Sequence, residues 1–434
     1  MKALLINVHS NRNAGDAALT TQAVRQLRAH FPGLELTLAM DDPASYTGEA
    51  RTAPSLFTWL KSAGPGGEAR WRAGRLLLLL PATLLPLLLY RLSGRFLPRL
   101  APRPLRALLE AYLQAELVLS APGGFLYSSG RGVALLLSLY SMALALAAGR
   151  PLYLFPQSYG PFHAAWERRA VGWVLRRARL VMVREAVSLE ELRACGLPPE
   201  RLHLVPDIAL AFEPDPPQAA RAWLQGLGFD LDQDRPLLGV TMINWGAQNT
   251  RFHLQERYEA AVCAAVRFFV ETYGGRALLL PQVTGPYPAQ DDRAPARRIL
   301  PRLADLQPSV TLVEEALPPA LLKAVYGQMD LFIGTRMHSN IFALGMGVPV
   351  IAIGYQHKTR GIARMLGVEA WALDIQETGA QALIDRLTAL WEGREALRAG
   401  LRASIPALAA QADRAGALIA GDFRRLRQDP KNLS

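Results

Sequence analysis

Short runs of Val, Ile and Leu alternate along this chain with longer stretches of helical period. Each run is followed by a turn marked by glycine or polar residues, and then by a stretch whose apolar positions recur every three or four residues. Runs this short and this continuously apolar are typical of parallel strands buried on both faces. The first half is therefore predicted to be a βαβ series with strands at 3–8, 34–40, 117–120, 152–156, 180–183 and 202–205.

A second series of the same kind follows a proline-rich linker, which reads EPDPP at 213–217. Prolines at this density favour an extended, semi-rigid chain. The strands predicted after the linker are 237–242, 277–281, 311–313, 331–334 and 350–353. Residues 386–434, rich in Ala, Leu and Arg, are predicted to form amphipathic helices.

Two βαβ series predict an α/β protein of two domains, because 434 residues exceed what one hydrophobic core usually serves. We expect an N-terminal Rossmann-like domain over 1–212, with an insertion around 70–106, and a C-terminal Rossmann-like domain over 218–385. The helices of 386–434 follow. Such a pair predicts a GT-B-like arrangement, with the active site in the interdomain cleft at the carboxyl ends of the strands.

The insertion carries most of the net charge of +11, since residues 51–110 hold ten basic and two acidic side chains. Between its arginines lies the uncharged run 76–90, LLLLLPATLLPLLLY. Fifteen helical residues reach about 22 Å, less than the ~30 Å hydrocarbon core, and Pro81 and Pro86 would kink the helix, so we expect no membrane span. Two interpretations stay open: a peripheral anchor on an anionic membrane, or a helix buried in the first domain. Nucleic acid is not expected as a partner, because aromatic residues are not interleaved with these arginines.

Other features of the sequence narrow the class of protein. Cys195 and Cys263 lie far apart with no CxxC partner, and the apolar N-terminus is too short for a signal peptide, so a cytoplasmic protein is expected. Association with the inner face of the cytoplasmic membrane stays open. GxGxxG and Walker A motifs are missing from the sequence. The acidic run 230–234 is interpreted as a solvated loop, and no metal site is predicted.

The stretch GTRMHSN at 334–340 follows a predicted strand and opens a predicted helix. A helix N-terminus presents N–H groups and the positive end of a dipole, and is therefore an anion site. Thr335, Arg336, His338 and Ser339 stand at this corner, where arginine adds a bidentate donor and histidine a group that titrates near neutrality. The alternative is a histidine satisfied within a loop beside a surface arginine.

Other strand ends supply further candidates. The next corner is basic and includes Lys358, a predicted anion ligand, although such a run alone would be a solvated loop. Asn13 and Asp16 follow the first strand, where helix capping is the alternative to an acceptor or cleft role. Gly123 and Gly124 either let a ligand approach the backbone or serve only a tight turn. The remaining candidates are Gln157 and Arg184, and Arg184 is expected to face the second domain.

The stretches 334–341 (GTRMHSNI), 347–353 (GVPVIAI) and 355–358 (YQHK) resemble the polysaccharide pyruvyl transferase family. The resemblance extends from Ala3 to about Gly367, because further stretches follow in the family's order: 13–16 (NAGD), 123–124 (GG), 157–162 (QSYGPF), 184–188 (REAVS), 206–207 (PD) and 280–285 (LPQVTG). Met337 departs from the family's Arg-Leu-His and alters only the apolar wall.

The resemblance implies a GT-B-like fold and transfer of pyruvate from phosphoenolpyruvate to two hydroxyls of a sugar, giving a ketal. It implies His338 as the catalytic acid and Arg184, Arg336 and Lys358 as donor ligands, with phosphoenolpyruvate as co-substrate and no cofactor. The apolar run 76–90 fits an acceptor on a lipid carrier. Two other functions stay open: a GT-B glycosyltransferase that uses a nucleotide-sugar, and a non-catalytic scaffold of polysaccharide assembly.

Overall fold

The structure is a computed structural model that describes residues 1–61, 69–94, 101–128, 132–229, 235–249, 252–355 and 357–428. The chain divides into two compact units. Unit 1 comprises Met1–Asn11, Leu19–Ile208 and the residues from Gln411 onward, and unit 2 comprises Arg12–Ala18 and Ala209–Ala410. The acidic run 230–234 lies outside the described residues.

The unit boundaries differ from a simple division of the sequence. The main passage falls between Ile208 and Ala209, close to the expected 212. Residues 12–18 nevertheless belong to unit 2, and the residues from Gln411 onward belong to unit 1. A helix that starts in unit 2 and ends in unit 1 makes the crossing after Ala18, and another makes the crossing after Ala410. Hydrophobic periodicity does not reveal which core a helix end contacts.

Unit 1 is built on a parallel sheet. Its described strands are β1 (Lys2–Val8), β2 (Glu35–Met40), β3 (Arg51–Pro54), β4 (Leu117–Ser120), β5 (Gly123–Leu126), β6 (Leu152–Tyr159), β7 (Leu180–Val183) and β8 (Leu202–Leu204). Their order is β3-β2-β1-β4-β6-β7-β8, with β5 paired to β6. The strand order reverses between β1 and β4, so the crevice at their carboxyl ends is the expected ligand position of this unit.

The helices that start in unit 1 or return to it connect these strands. They are α2 (Leu56–Lys61), α3 (Ala69–Ser93), α4 (Arg103–Gln114), α5 (Val133–Ala147), α6 (Ala165–Leu175), α7 (Ala186–Ala194) and α16 (Ala415–Gln428), with α1 (Ala14–His30) entering from unit 2. Helices α2 to α6 share one apolar core with the sheet. Phe31 at the end of α1 packs edge-on against Phe423 of α16.

Unit 2 repeats this plan with a second parallel sheet. Its strands are β9 (Leu237–Thr241), β10 (Arg276–Leu279), β11 (Val310–Leu312), β12 (Leu331–Gly334), β13 (Val350–Gly354) and β14 (Ala372–Asp374), in the order β11-β10-β9-β12-β13-β14. Its helices are α8 (Pro217–Gly226), α9 (Trp245–Gln248), α10 (Gln255–Tyr273), α11 (Arg293–Ile299), α12 (Pro319–Tyr326), α13 (Met337–Gly345), α14 (His357–Met365) and α15 (Ala380–Asp413). The strand order reverses between β9 and β12.

The sequence prediction of eleven strands is confirmed, and the structure adds β3, β5 and β14. These three carry weak signals for physical reasons. β3 is an edge strand that contains Arg51 and Pro54, β5 begins with two glycines, and β14 has only three residues at the other sheet's edge. Short edge strands need no continuous apolar run, since fewer of their side chains are buried.

The length expected for the apolar segment of the insertion was wrong. One helix, α3, runs without a break over 25 residues and contains both Pro81 and Pro86. By length and composition its portion Leu76–Ser93 could cross a membrane, and only 22% of that portion is buried. The uncharged run is shorter than the helix, because α3 continues into the arginine-containing stretches on both sides of it.

Candidate functional site

The corner after β12 lies at the switch point of unit 2, and it follows a strand and opens a helix, as the sequence predicts. Thr241 ends β9, and Gly334 ends β12 beside it in the parallel register. A Cβ atom at Gly334 would lie 1.7 Å from Oδ1 of Asn340, so only glycine lets the first turn of α13 fold back against the strand end. The N-terminus of α13 is thereby fixed at the ligand position of the sheet.

Buried hydroxyl groups hold this corner in place. The hydroxyls of Thr241 and Ser339 lie 2.7 Å apart, and Ser339 Oγ also donates to the carbonyl of Arg336 at 2.7 Å. The hydroxyls of Tyr258 and Thr335 lie 2.7 Å apart. Thr335 and Ser339 therefore position the corner through hydrogen bonds inside unit 2, and their contact with a donor stays a prediction.

Arg336 is clamped by a buried carboxylate. Its Nε and Nη2 donate to Asp292 at 3.0 and 2.7 Å, and Nη2 also donates to the carbonyl of Gln290 at 3.0 Å. The Arg336 side chain is 12% exposed and that of Asp292 is completely buried. This pairing fixes the plane of the guanidinium and leaves a small part of it accessible.

The two charges affect each other's pKa in ways set by burial. Burial raises the pKa of Asp292 to about 6, because the cost of burying a carboxylate exceeds the attraction of Arg336 and of two backbone N–H groups. Burial alone would lower the pKa of Arg336, but the Asp292 carboxylate and Tyr355 together more than offset it, so this pKa lies above its ordinary value. Arg336 is therefore a permanent cation whose counter-charge titrates near pH 6.

The same carboxylate shapes the loop that follows β10. Asp292 Oδ2 accepts the N–H groups of Gln282 and Val283 at 3.2 and 2.9 Å. This loop in turn pairs with residues 12–18. The N–H of Ala14 donates to Gln282 at 2.9 Å, and Asn13 and Val283 form an isolated antiparallel bridge. Asp292 thus links Arg336 to the start of α1.

The start of α1 lies directly against His338. A Cβ atom at Gly15 would lie 2.3 Å from Nδ1 of His338, so the imidazole contacts the backbone of this turn. Asn13 Oδ1 accepts the N–H groups of Gly15 and Asp16 at 3.0 and 3.4 Å, and its amide donates to Asp16 Oδ2 at 2.9 Å. Asn13 is the helix cap that the sequence left as the alternative, and it nevertheless stands, with Asp16, beside the predicted catalytic histidine.

Two helix N-termini therefore meet at one place within unit 2. Helix α13 begins at Met337, α1 begins at Ala14, and the contact between Gly15 and His338 joins their first turns. No side chain caps α13 among the described residues. The positive ends of two helix dipoles, the Arg336 guanidinium and the His338 imidazole form an electropositive corner suited to an anion that also needs a proton donor.

Three candidates of the first half, Gly123, Gly124 and Gln157, lie on β5 and β6 of unit 1. Gly123 and Gly124 open β5, and Gly123 has a φ of +148°, which favours glycine. Gln157 is completely buried, and its amide donates to Ser120 Oγ at 2.9 Å and to the Ala121 carbonyl at 2.6 Å. Gln157 thus ties β6 to the end of β4, and its role toward an acceptor stays a prediction.

Arg184 is buried inside unit 1 rather than presented at its surface. Its Nη1 donates to Asp207 Oδ2 at 2.5 Å and its Nε to Ser158 Oγ at 2.7 Å, with no exposed area on the side chain. Arg184 lies at a strand end, as predicted, but its pairing with Asp207 is not visible in the sequence because the two residues are 23 positions apart. Donor binding by Arg184 stays a prediction.

Lys358 belongs to the first turn of α14, and its side chain lies outside the described part of the structure. Tyr355, just before this turn, packs on Trp245 with ring centroids 4.6 Å apart and interacts with the Arg336 guanidinium.

Asp292, Gly15 and Tyr258 are residues of this corner that the sequence did not predict. The sequence signal for Asp292 is the acidic pair Asp291-Asp292. Within the described residues, no group of three or more His, Cys, Asp or Glu could hold a metal ion.

Comparison with known sequences decides the family. A sequence profile of polysaccharide pyruvyl transferases matches residues 13–357, which include the whole corner from Asn13 to Ser339. The chain belongs to the polysaccharide pyruvyl transferase family. The amylovoran biosynthesis protein AmsJ of Erwinia amylovora is 23% identical over 411 residues, which are 91% of this chain and 93% of AmsJ. These matches support a transferase of polysaccharide pyruvylation at the level of the family.

Solved structures establish the fold of this pyruvyl transferase family member. The MnaA protein of S. aureus, solved with UDP, has a TM-score of 0.59 at 12% identity and 98% coverage of this chain, 97% of its own. Sucrose-phosphate synthase of Thermosynechococcus elongatus has a TM-score of 0.58 at 16% identity, with 99% of both chains covered. A putative UDP-N-acetylglucosamine 2-epimerase of Listeria monocytogenes has a TM-score of 0.58 at 15% identity, with 98% of this chain and 97% of its own covered. The predicted GT-B-like fold of two Rossmann-like units is confirmed.

Proposed function

We propose that this protein transfers the pyruvate group of phosphoenolpyruvate to two hydroxyls of a sugar, forming a cyclic ketal and releasing inorganic phosphate. The observation that carries the proposal is the contact of His338 with the start of α1 beside Arg336, in a chain of this family. Phosphoenolpyruvate carries a carboxylate and a phosphate, and the electropositive corner has the charge to hold an anion of this kind.

The reaction needs a group that donates a proton to carbon C3 of phosphoenolpyruvate. In the first step a sugar hydroxyl oxygen bonds to C2 of phosphoenolpyruvate while C3 receives a proton, which His338 is proposed to deliver. The proton that this hydroxyl loses is proposed to restore the protonated His338. In the second step another hydroxyl of the sugar bonds to C2, the C2–O bond to phosphate breaks, and phosphate leaves with the second hydroxyl's proton. Arg336 and the N-terminus of α13 would stabilise the leaving phosphate, with Lys358 and Arg184 as further proposed donor ligands.

The acceptor side is proposed to include Asn13 and Asp16, because both lie one residue or two from the glycine that contacts His338. A hydroxyl held there could approach a donor bound at Arg336. We further propose that the acceptor is a lipid-linked sugar of cell-surface or extracellular polysaccharide synthesis, and that the reaction takes place on the cytoplasmic side of the membrane. The match to a polysaccharide biosynthesis protein supports this setting.

A donor screen tests the proposal. The purified protein is incubated with hexosides whose hydroxyl pairs can close a ketal ring, and with either phosphoenolpyruvate or a set of nucleotide-sugars. We expect phosphate release and a new methyl signal in the proton NMR spectrum with phosphoenolpyruvate alone. Release of a nucleoside diphosphate from a nucleotide-sugar would instead support the glycosyltransferase alternative, and consumption of neither would support the scaffold.

The variant His338→Gln identifies the proton donor. Loss of a general acid should lower kcat by about 10²–10⁴ while phosphoenolpyruvate still binds. His203→Gln is the matched control, because His203 lies in the edge strand β8 of unit 1 and should leave kcat unchanged. Near-normal turnover of His338→Gln would remove this residue from the mechanism.

A further inference from the structure

Exposed apolar side chains are concentrated on one part of unit 1. Of the fourteen large hydrophobic side chains that are exposed in the described part of the chain, eleven lie on α3, α5 and α6. They are Leu76, Leu77, Leu78, Leu80, Leu85, Leu88, Leu92, Val133, Leu136, Trp166 and Trp173. Isolated exposed leucines are ordinary, whereas a concentration of this size marks a binding surface.

Helix α3 is apolar on two opposite sides. Leu79, Thr83 and Leu87 are buried, with both leucines in the core of unit 1, and the Thr83 hydroxyl lies 2.6 Å from that of Tyr140 on α5. At about 100° per residue, Leu77, Leu88 and Leu92 project from the opposite side. We call these three the leucine face; Leu77 is 80% and Leu92 is 85% exposed. A surface helix of a protein that meets only water would be polar on that side.

The neighbouring helices extend this surface with tryptophan and arginine. Helix α5 contacts both α3 and α6, and a Cβ atom at Gly132, before α5, would lie 2.8 Å from the Trp166 ring. Arg177, two residues after the end of α6, stacks its guanidinium on Trp173 of that helix, with its carbon 4.3 Å from the ring centroid. Tryptophan beside arginine is the pairing found at the headgroup level of membranes, where the ring is half-buried and the cation meets phosphate.

Charge selects between the possible occupants of this surface. Residues 51–110 carry ten basic and two acidic side chains, so two copies of the chain would repel each other there, whereas an anionic surface is attracted. We propose that α3, α5 and α6 dock on an anionic lipid bilayer, with α3 lying in the plane of the interface and the leucine face inserted. Leu79 and Leu87 oppose a spanning arrangement, since crossing the bilayer would withdraw them from the core of unit 1.

Vesicle co-sedimentation of the full chain tests this docking, and it does so independently of the proposed function. We expect the protein to sediment with phosphatidylcholine vesicles that contain phosphatidylglycerol, to bind pure phosphatidylcholine at least tenfold more weakly, and to be partly released by salt. The variant Leu77→Ser/Leu88→Ser/Leu92→Ser should lower binding to the anionic vesicles at least tenfold. Its melting temperature should not fall, because these side chains lie outside the core.

The matched control is Leu204→Ser/Leu227→Ser, which replaces exposed leucines away from the three helices and should bind like the unaltered protein. Equal binding to neutral and anionic vesicles, no binding to either, or unchanged binding of the leucine-face variant would each overturn the proposal. Sedimentation equilibrium without lipid tests whether a second copy of the chain covers this surface instead. A dimer of the unaltered protein that becomes a monomer in the leucine-face variant would show that it does.

Discussion

At the scale of single residues, Gly15 sets how closely the start of α1 approaches the histidine. Its missing side chain is what permits the contact, because a Cβ atom would overlap the imidazole at 2.3 Å. The clash involves a ring held within the first turn of α13, so a methyl group there must displace either α1 or His338. This residue therefore links the position of the backbone to the proposed proton transfer.

We expect Gly15→Ala to lower kcat/KM by about 10–100-fold, since a shift of the order of 1 Å in a proton donor has effects of this size. The measurement is the rate of phosphate release at saturating and limiting phosphoenolpyruvate. Gly393→Ala is the control: its Cβ atom would meet nothing within 4 Å, and inside α15 alanine should stabilise by up to about 1 kcal/mol. Full activity of Gly15→Ala would show that α1 or His338 can shift to admit the methyl group without affecting catalysis.

Asp292 gives the site a dependence on pH. Because its pKa is raised to about 6 from 3.8, folding favours the protonated form, so its contribution to stability is present below about pH 4 and is lost as the pH rises through 6. The ionised form, which clamps Arg336, is the one present above pH 6. We expect kcat/KM for phosphoenolpyruvate to fall as the pH drops below about 6.

The variant Asp292→Asn should have a kcat/KM for phosphoenolpyruvate roughly 10–100-fold lower above pH 6. Its pH–rate profile should also lack the inflection near pH 6. Asp291→Asn is the control, because Asp291 pairs with Arg293 and not with Arg336. A pH–rate profile of Asp292→Asn that kept the inflection near pH 6 would assign it to another group.

At the scale of elements, a buried lysine fastens α12 to the chain that enters unit 2. Lys323 Nζ donates to the carbonyls of Ala209, Leu210 and Phe212, the first two at 3.0 and 3.3 Å, and its side chain is buried. Lysine is almost never found buried in this way unless it is paired. The sequence places Lys323 in an amphipathic helix and gives no sign of burial, since the carbonyls it binds belong to residues more than a hundred positions earlier.

We expect Lys323→Met to lower the free energy of unfolding by about 2–5 kcal/mol, because three carbonyls would lose a charged donor inside unit 2. Urea denaturation followed by circular dichroism measures this loss. Lys2→Met serves as the control: its amine meets Gln114 at the surface at 3.0 Å, and its loss should cost well under 1 kcal/mol. Equal midpoints for the two variants would contradict the role assigned to Lys323.

At the scale of the whole molecule, a donor that binds the electropositive corner should stabilise unit 2, because Arg336, His338 and Asn13 all belong to it. At a hundredfold excess over its dissociation constant, phosphoenolpyruvate would add about 2.7 kcal/mol, a shift of very roughly 5–11 °C in the melting of this unit. We expect that shift with phosphoenolpyruvate and little with uridine diphosphate. Differential scanning calorimetry is the measurement.

Arg336→Ala should abolish the shift, and Arg297→Ala is a control in the same unit, since Arg297 pairs at the surface with Glu314. A shift with uridine diphosphate and none with phosphoenolpyruvate would assign the protein to the nucleotide-sugar glycosyltransferases. The GT-B fold itself does not distinguish these two functions, because one fold hosts many sites.

The sequence by itself determined the two parallel sheets and the corner at Arg336 and His338. Hydrophobic periodicity and short apolar runs are local properties of the sequence, and a strand end followed by a helix start is visible in consecutive residues. The tertiary structure alone decided that Asp292 clamps Arg336, that Arg184 is buried against Asp207, and that Gly15 contacts His338, since each contact joins residues far apart in the chain. It also decided which side of α3 is exposed: both sides carry leucines, and packing against α2, α4 and α5 distinguishes them.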